Sequence, residues 1–212
     1  MAYLKKIDTG AVTENLDEES VAYQTLVKMR FAAATKISGS GGFGAGSGGE
    51  YTAAAGEPIW EAIAGQDAGF PDPTGGRVGV VLLGSIAAGS DETSDDEFEP
   101  PVTGKITAAA WVPLTTVEKN GTNYRTITLY EWRNKEKVLT ETAPQEKVVL
   151  AKIETKTASA TGLVANAMTV ESGAEIKGGT TGEPSSLQVE SKHTAGGVAD
   201  PGGLVYVVYT RV

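Results

Sequence analysis

Cysteine is absent from this chain, and histidine occurs once, at His193. Without thiolates or clustered imidazoles a structural zinc site is excluded, and no disulfide framework exists. The fold must be held by packing, with oligomerisation left open as a further support. A Ser-His-Asp or Cys-His nucleophile would have to run through His193 alone, and no Gly-x-Ser-x-Gly elbow presents a serine. His193 therefore reads as a surface loop residue. Aromatic residues make up only 7 % of the chain, with no Trp/Asp/Glu cluster to line a sugar-cleaving cleft. No apolar run reaches the roughly 18 residues needed to cross a membrane. The stretch Met1–Asp8 lacks the apolar core of a secretion signal. These absences lead to the expectation of a soluble, non-enzymatic product made in the cytoplasm, with no metal, cofactor or membrane partner.

Basic charge is also scarce. The net charge is -9, and residues 1–101 hold six Lys/Arg against 16 Asp/Glu, whereas residues 102–212 hold 12 against 11. Phosphate contacts need a basic surface, so nucleic acid is not an expected partner. The acidity belongs to the N-terminal half.

Apolar residues are 40 % of the 212 residues, enough to bury a core, and 27 glycines with abundant Thr and Val favour strands and turns. In the N-terminal half, Asn15 and Glu18 resemble an N-cap and its capping-box partner. Leu16, Ser20, Tyr23, Val27 and Arg30 follow at helical spacing, predicting an amphipathic helix over 16–31, although its β-branched residues leave a strand open. Ser38–Gly49 is Gly/Ser-rich and reads as an extended arm. Gly44, Gly46 and Gly49 match G-x-G-x-x-G formally, but the flanking strand and crossover helix of a dinucleotide site are missing. Val78–Leu83 has the length and branching of a buried strand. Ser90–Pro101, with Asp91, Glu92, Asp95, Asp96, Glu97 and Glu99, reads as a solvated acidic linker, since the EF-hand pattern of a calcium loop is missing.

Residues 102–212 read as successive short strands. Ile106, Ala108, Ala110 and Val112 alternate with Lys105, Thr107, Ala109 and Trp111. Asn120-Gly121 marks a tight turn, and Arg125–Trp132 alternates with Ile127 and Leu129 on one face. Lys147–Ile153 and Ala167–Val170 are further strands. Asn120-Gly121-Thr122 also matches a glycosylation sequon, which a cytoplasmic product would not expose to that machinery. Leu204–Tyr209 is apolar on both faces, so it is either central in a sandwich or covered by a neighbouring subunit. Arg125 either pairs with an acid, caps carbonyls at a subunit boundary, or stands exposed on its strand. In Asp200-Pro201-Gly202-Gly203, Pro sets φ at one central turn position and Gly permits positive φ at the next. The expected fold is mainly β. A C-terminal antiparallel β-sandwich (102–212) follows an irregular, acidic N-terminal region (1–101) with one short helix and the extended Gly-rich arm.

Three stretches are similar to the β-sandwich domain of tailed-bacteriophage capsid decoration and head-fibre proteins. Asn123–Leu129 resembles that family's Asn-x-Arg-Thr strand. Met168–Ala174 resembles its apolar strand running into a Gly turn, and Ala195–Val205 its closing turn and last strand. Two features depart from the family. Glu131–Lys135 is charged where the family tends to carry a Gly-rich turn, and Glu175–Ser186 is long. The resemblance implies a structural virion protein that binds the outer surface of the capsid and decorates or cements it. The implied partners are the major capsid protein and further copies of itself, as a homotrimer on a (quasi-)threefold axis. The implied place is the exterior of the virion, after synthesis in the host cytoplasm. On this reading the arm 38–57 and the helix 16–31 meet the shell, with Phe43, Tyr51, Ile59 and Trp60 as anchors. The runs 78–83 and 204–209, including Leu204, Tyr206 and Val208, are expected to pack between subunits. An alternative is a fibre or tail module recognising a host-surface glycan, for which an exposed platform of Trp111, Tyr130 and Trp132 is the expected sign.

Overall fold

The computed structural model describes residues 2–32, 35–38, 50–63, 76–133, 146–177 and 185–212. The chain opens with β1 (Tyr3–Lys6) and β2 (Val12–Thr13), then α1 (Val21–Lys28), the single helix among these residues. A hairpin of β3 (Thr35–Ser38) and β4 (Glu50–Ala53) follows, then β5 (Trp60–Ile63), β6 (Gly76–Leu83) and β7 (Glu92–Thr93). The remainder is strands: β8 (Gly104–Pro113), β9 (Arg125–Arg133), β10 (Glu146–Glu154), β11 (Asn166–Ala167) and β12 (Thr169–Val170). β13 (Glu175–Ile176), β14 (Ser185–His193) and β15 (Gly203–Arg211) complete the order.

Two sheets make a β-sandwich. One runs β11-β8-β15-β6-β2-β1-β5, with β13 also paired to β8; the other runs β12-β10-β9-β14-β7. β15 lies between β8 and β6, antiparallel to both, which settles why its residues are apolar on both faces. Val205, Val207 and Tyr209 face the second sheet with Ile127, Leu129, Leu150, Leu187 and Val189. Leu204, Tyr206 and Val208 face the other way, into a second core built by Leu4, Leu26, Met29, Ile59 and Trp60. Burial of each of these Val and Leu residues stabilises the fold by roughly 1.5–3 kcal/mol relative to exposure. The protein's own N-terminal layer provides the cover that a neighbouring subunit was expected to give.

The expected boundary at 101/102 therefore does not separate two folding units. β6, from before it, pairs with β15 from Gly203↔Leu83 to Thr210↔Gly76. The physical reason is hydrogen bonding: a buried apolar strand needs partners on its edges, and β15 supplies one. The helix is also shorter than 16–31. Leu16 cannot join it because its N–H and C=O are both used in a bridge to Ala2, at 2.9 and 2.8 Å. Ser20, not Asn15, is the N-cap, its Oγ accepting the Tyr23 N–H at 3.2 Å. At the other end Met29 turns to extended geometry, and Arg30 bridges Pro58.

The acidic stretch is not a solvated linker. Thr93 pairs with Glu190 and Glu92 with Ser191, making β7 the edge of the second sheet. Ser94 is buried; its N–H donates to Val189 O at 2.7 Å and its Oγ accepts the Val189 N–H at 3.0 Å. Asp96 accepts the Leu82 N–H on β6 at 2.7 Å, and Glu97 accepts from Gln188 on β14 at 2.6 Å. Phe98 bridges Leu187 and lays its ring on Gly79, where a Cβ would come within 2.5 Å of it. Asp96 satisfies a backbone N–H of β6 and Glu97 a side-chain amide of β14, and the segment closes one side of the sandwich. The other side is closed by β11, β12 and β13, which alternate between β8 and β10. That alternation breaks the expected 167–170 strand at Met168.

The Gly-rich arm is seen at its stem. β3 and β4 pair as a separate two-stranded sheet, from Thr35↔Ala53 to Ser38↔Glu50, and Phe31 and Glu57 link its base at 3.0 Å. Gly44, Gly46, Gly49 and Phe43 lie outside the described residues.

Candidate functional site at one end of the sandwich

Arg125 starts β9 in phase with the core residues Ile127 and Leu129, so its side chain enters the sandwich and is fully buried. Burying a guanidinium costs several kcal/mol unless its donors are met. Here the Nε–H donates to Val198 O at 2.6 Å, Nη1 to Ser90 O at 2.6 Å and Nη2 to Ala87 O at 2.8 Å. Of the three readings open from sequence, capping carbonyls is the observed one, within a single molecule. The backbone is fixed too: Arg125 N–H donates to Thr155 Oγ1, and Thr155 N–H returns to Arg125 O.

Asp200 is the neighbouring carboxylate. It is buried, accepts the Ser191 hydroxyl at 2.7 Å on Oδ2 and the Gly202 N–H at 2.9 Å on Oδ1. Burial pushes its carboxyl above the usual range; the two hydrogen bonds and the Arg125 charge work against that rise. Its backbone bridges Ile86, tying the closing turn to the loop after β6. Gly202 takes the positive φ the turn requires, +72°. Gly203 is more constrained, since a Cβ there would sit 2.1 Å from Val112 O.

His193 ends β14 rather than lying in a loop. Its N–H donates to Asp91 Oδ1 at 2.7 Å, and its Nδ1 lies 2.6 Å from the same oxygen. The backbone N–H, with the imidazole and Arg125 adding to it, holds the Asp91 carboxyl below its usual range despite some desolvation. Ser191 points its proton at Asp200, so serine and histidine on this strand serve different carboxylates. Gly196 N–H donates to Asn123 Oδ1 at 3.1 Å, and Thr194 N–H to Tyr124 O at 3.0 Å. A Cβ at Gly197 would lie 2.6 Å from His193 Cβ and 3.1 Å from Gly89 N, so these loops pack backbone to backbone. The result is a loop end locked by one buried cation and two carboxylates.

Comparison with known protein families, curated proteins and solved structures returns no match. The internal geometry carries the interpretation.

The residues singled out from sequence divide clearly. Asn123–Leu129 and Ala195–Val205 meet around Arg125. Met168–Ala174 runs along the edge strands instead, with Ala174 O accepting from Ile106 N–H at 3.1 Å. Ile59 and Trp60, expected as anchors for a partner, are buried in the second core with Leu204, Tyr206 and Val208. Trp60 packs edge-on against Tyr206 at 5.5 Å. As placed, these five residues stabilise the molecule itself, because they pack into one core with Leu4, Leu26 and Met29 of the N-terminal layer. Tyr51 lies on β4, and Phe43 is outside the described residues. The expected aromatic platform does not form. Trp111 is inside the sandwich and Tyr130 is buried. Trp132, half-buried, meets Tyr130 edge-on at 5.9 Å, with the Lys147 ammonium 4.0 Å above the Tyr130 ring. Asp91 and Asp200 read from sequence only as parts of an acidic run and a turn, and the carbonyls of Ala87 and Ser90 not at all, because their roles come from long-range contacts. The one signal at hand was Arg125 itself, a cation in phase with an apolar stripe.

Proposed function

We propose that this protein is a structural, non-enzymatic virion protein that binds the outer surface of a tailed-phage capsid and decorates or cements it as a homotrimer. The observation that supports this reading most is the meeting of two of the three family-like stretches. Asn123 and Arg125 from one, and Ala195–Val205 from the other, form the lock at the loop end. The resemblance therefore lies in residues that act together, and not in scattered matches. A lattice of identical sites suits an oligomer, since simultaneous contacts multiply a weak single affinity by about 10²–10⁴.

The β3–β4 hairpin is the attachment element on this reading. A lone two-stranded hairpin is marginally stable in water at best, so docking against a shell subunit stabilises it. Tyr51 on its second strand and Phe43 in the arm remain the aromatic anchors, whereas Ile59 and Trp60 hold the base from inside the fold. The test is sedimentation of purified protein with undecorated capsids of the parent phage. Saturable co-sedimentation at micromolar protein supports the reading, and protein left in the supernatant at that concentration rejects it.

A further inference from the structure

Asn120-Gly121, in the loop between β8 and β9, has a geometry suited to covalent change. Asn120 is tethered by its backbone N–H to Thr155 O at 3.0 Å. Its Oδ1 accepts two backbone N–H groups, from Thr122 at 3.0 Å and Asn123 at 2.8 Å. Two donors converging on one carbonyl oxygen polarise the carbon and stabilise the charge that oxygen gains when a nucleophile adds. The nucleophile is next in sequence. Gly121 is exposed, its N–H donates to none of the described residues, and a Cβ there would meet nothing within 4 Å. The side-chain face of this residue is open space, and a glycine has no Cβ to hinder a five-membered ring.

We propose that Asn120 is a site of spontaneous succinimide formation in the folded protein. Gly121 N, giving its proton to solvent base, forms a bond to Asn120 Cγ. The Cγ–Nδ2 bond of Asn120 breaks, and ammonia leaves with a proton from solvent. Water then opens the imide at either carbonyl, giving aspartate or isoaspartate at position 120 and one added negative charge. Aspartate keeps the acceptor that Thr122 and Asn123 need. Isoaspartate puts an extra methylene into the backbone and shifts Asn123, whose Oδ1 holds Gly196, so it loosens the loop end. The sequence has five asparagines, and only Asn120 is followed by glycine.

The test is incubation of the full-length protein at mildly acidic and mildly alkaline pH, native and in denaturant, followed by peptide mass spectrometry. Asn120 is expected to convert first, faster in alkali, and at least as fast native as denatured. Gly121→Ala is expected to slow conversion by roughly tenfold or more without moving the thermal midpoint. Conversion confined to denaturant, earlier conversion at Asn15, Asn123, Asn134 or Asn166, or an unchanged rate in Gly121→Ala would overturn the proposal.

Discussion

The Arg125 Nε–H donates to the carbonyl of Val198 at 2.6 Å, joining the first residue of β9 to a turn 73 residues later. The same guanidinium holds Ser90 and Ala87, so one residue ties three segments together. Arg125→Met leaves the carbonyls of Val198, Ser90 and Ala87 without this donor and Asp200 without its counter-charge. The expected cost is about 3–5 kcal/mol in urea unfolding. Arg125→Lys recovers little of it, because a point ammonium cannot reproduce the planar fork. Hydrogen exchange should lose protection first at 86–91 and 194–203. A cost below about 1 kcal/mol, the worth of one ordinary hydrogen bond, would refute the lock.

Asp200 and Asp91 give opposite pH dependences. Burial raises the folded Asp200 carboxyl, so a penalty on folding builds as pH rises from the unfolded value of about 3.9 through the higher folded value, and it lifts on acidification. The His193 N–H lowers Asp91, whose stabilisation is complete above the unfolded value of about 3.9. That stabilisation is lost as pH falls through Asp91's lower folded value. Urea midpoints measured across the acid range should show Asp200→Asn losing the gain on acidification and Asp91→Asn losing the decline. Parallel profiles for the wild type and both variants would contradict these assignments.

Phe98 and Gly79 should be coupled. A methyl at position 79 comes within 2.5 Å of the Phe98 ring, so Gly79→Ala displaces the ring and with it the acidic segment. Phe98→Ala alone is expected to cost about 3 kcal/mol. In that background Gly79→Ala should cost almost nothing, giving a coupling energy of about 1–3 kcal/mol in a double-mutant cycle. Additive costs would mean the ring does not rest on this glycine.

Much of the sandwich is legible in the sequence, because alternation writes an inward stripe directly. Ile127 and Leu129, or Val205, Val207 and Tyr209, are examples. β14 is not legible. Ser185-Ser186-Leu187-Gln188-Val189-Glu190-Ser191-Lys192-His193 carries only two apolar residues, and its inward Ser191 is polar because Asp200 receives it. Asn15 imitates a helix cap, but the Ala2 bridge takes the backbone that a helix would need. The lock itself hides for another reason. Arg125 and the Asp200-Pro201-Gly202-Gly203 turn are visible as residues, yet their meeting is a long-range contact that no local spacing encodes.

Gly203 should be the least replaceable glycine of the closing turn. Its φ is +133°, and a Cβ would sit 2.1 Å from Val112 O on the neighbouring strand. Gly203→Ala is expected to cost at least about 3 kcal/mol, from backbone strain plus displacement of β8. The check is the shift of the thermal midpoint. A wild-type-like midpoint would contradict the register of β15 against β8.

Attachment to the outside of a capsid is tested most directly by electron cryo-microscopy of undecorated capsids before and after addition of the purified protein. Added density is expected on the outer surface, in threefold clusters at (quasi-)threefold positions, into which the sandwich fits. Identical reconstructions at saturating protein, or added density on the inner surface, would contradict capsid decoration.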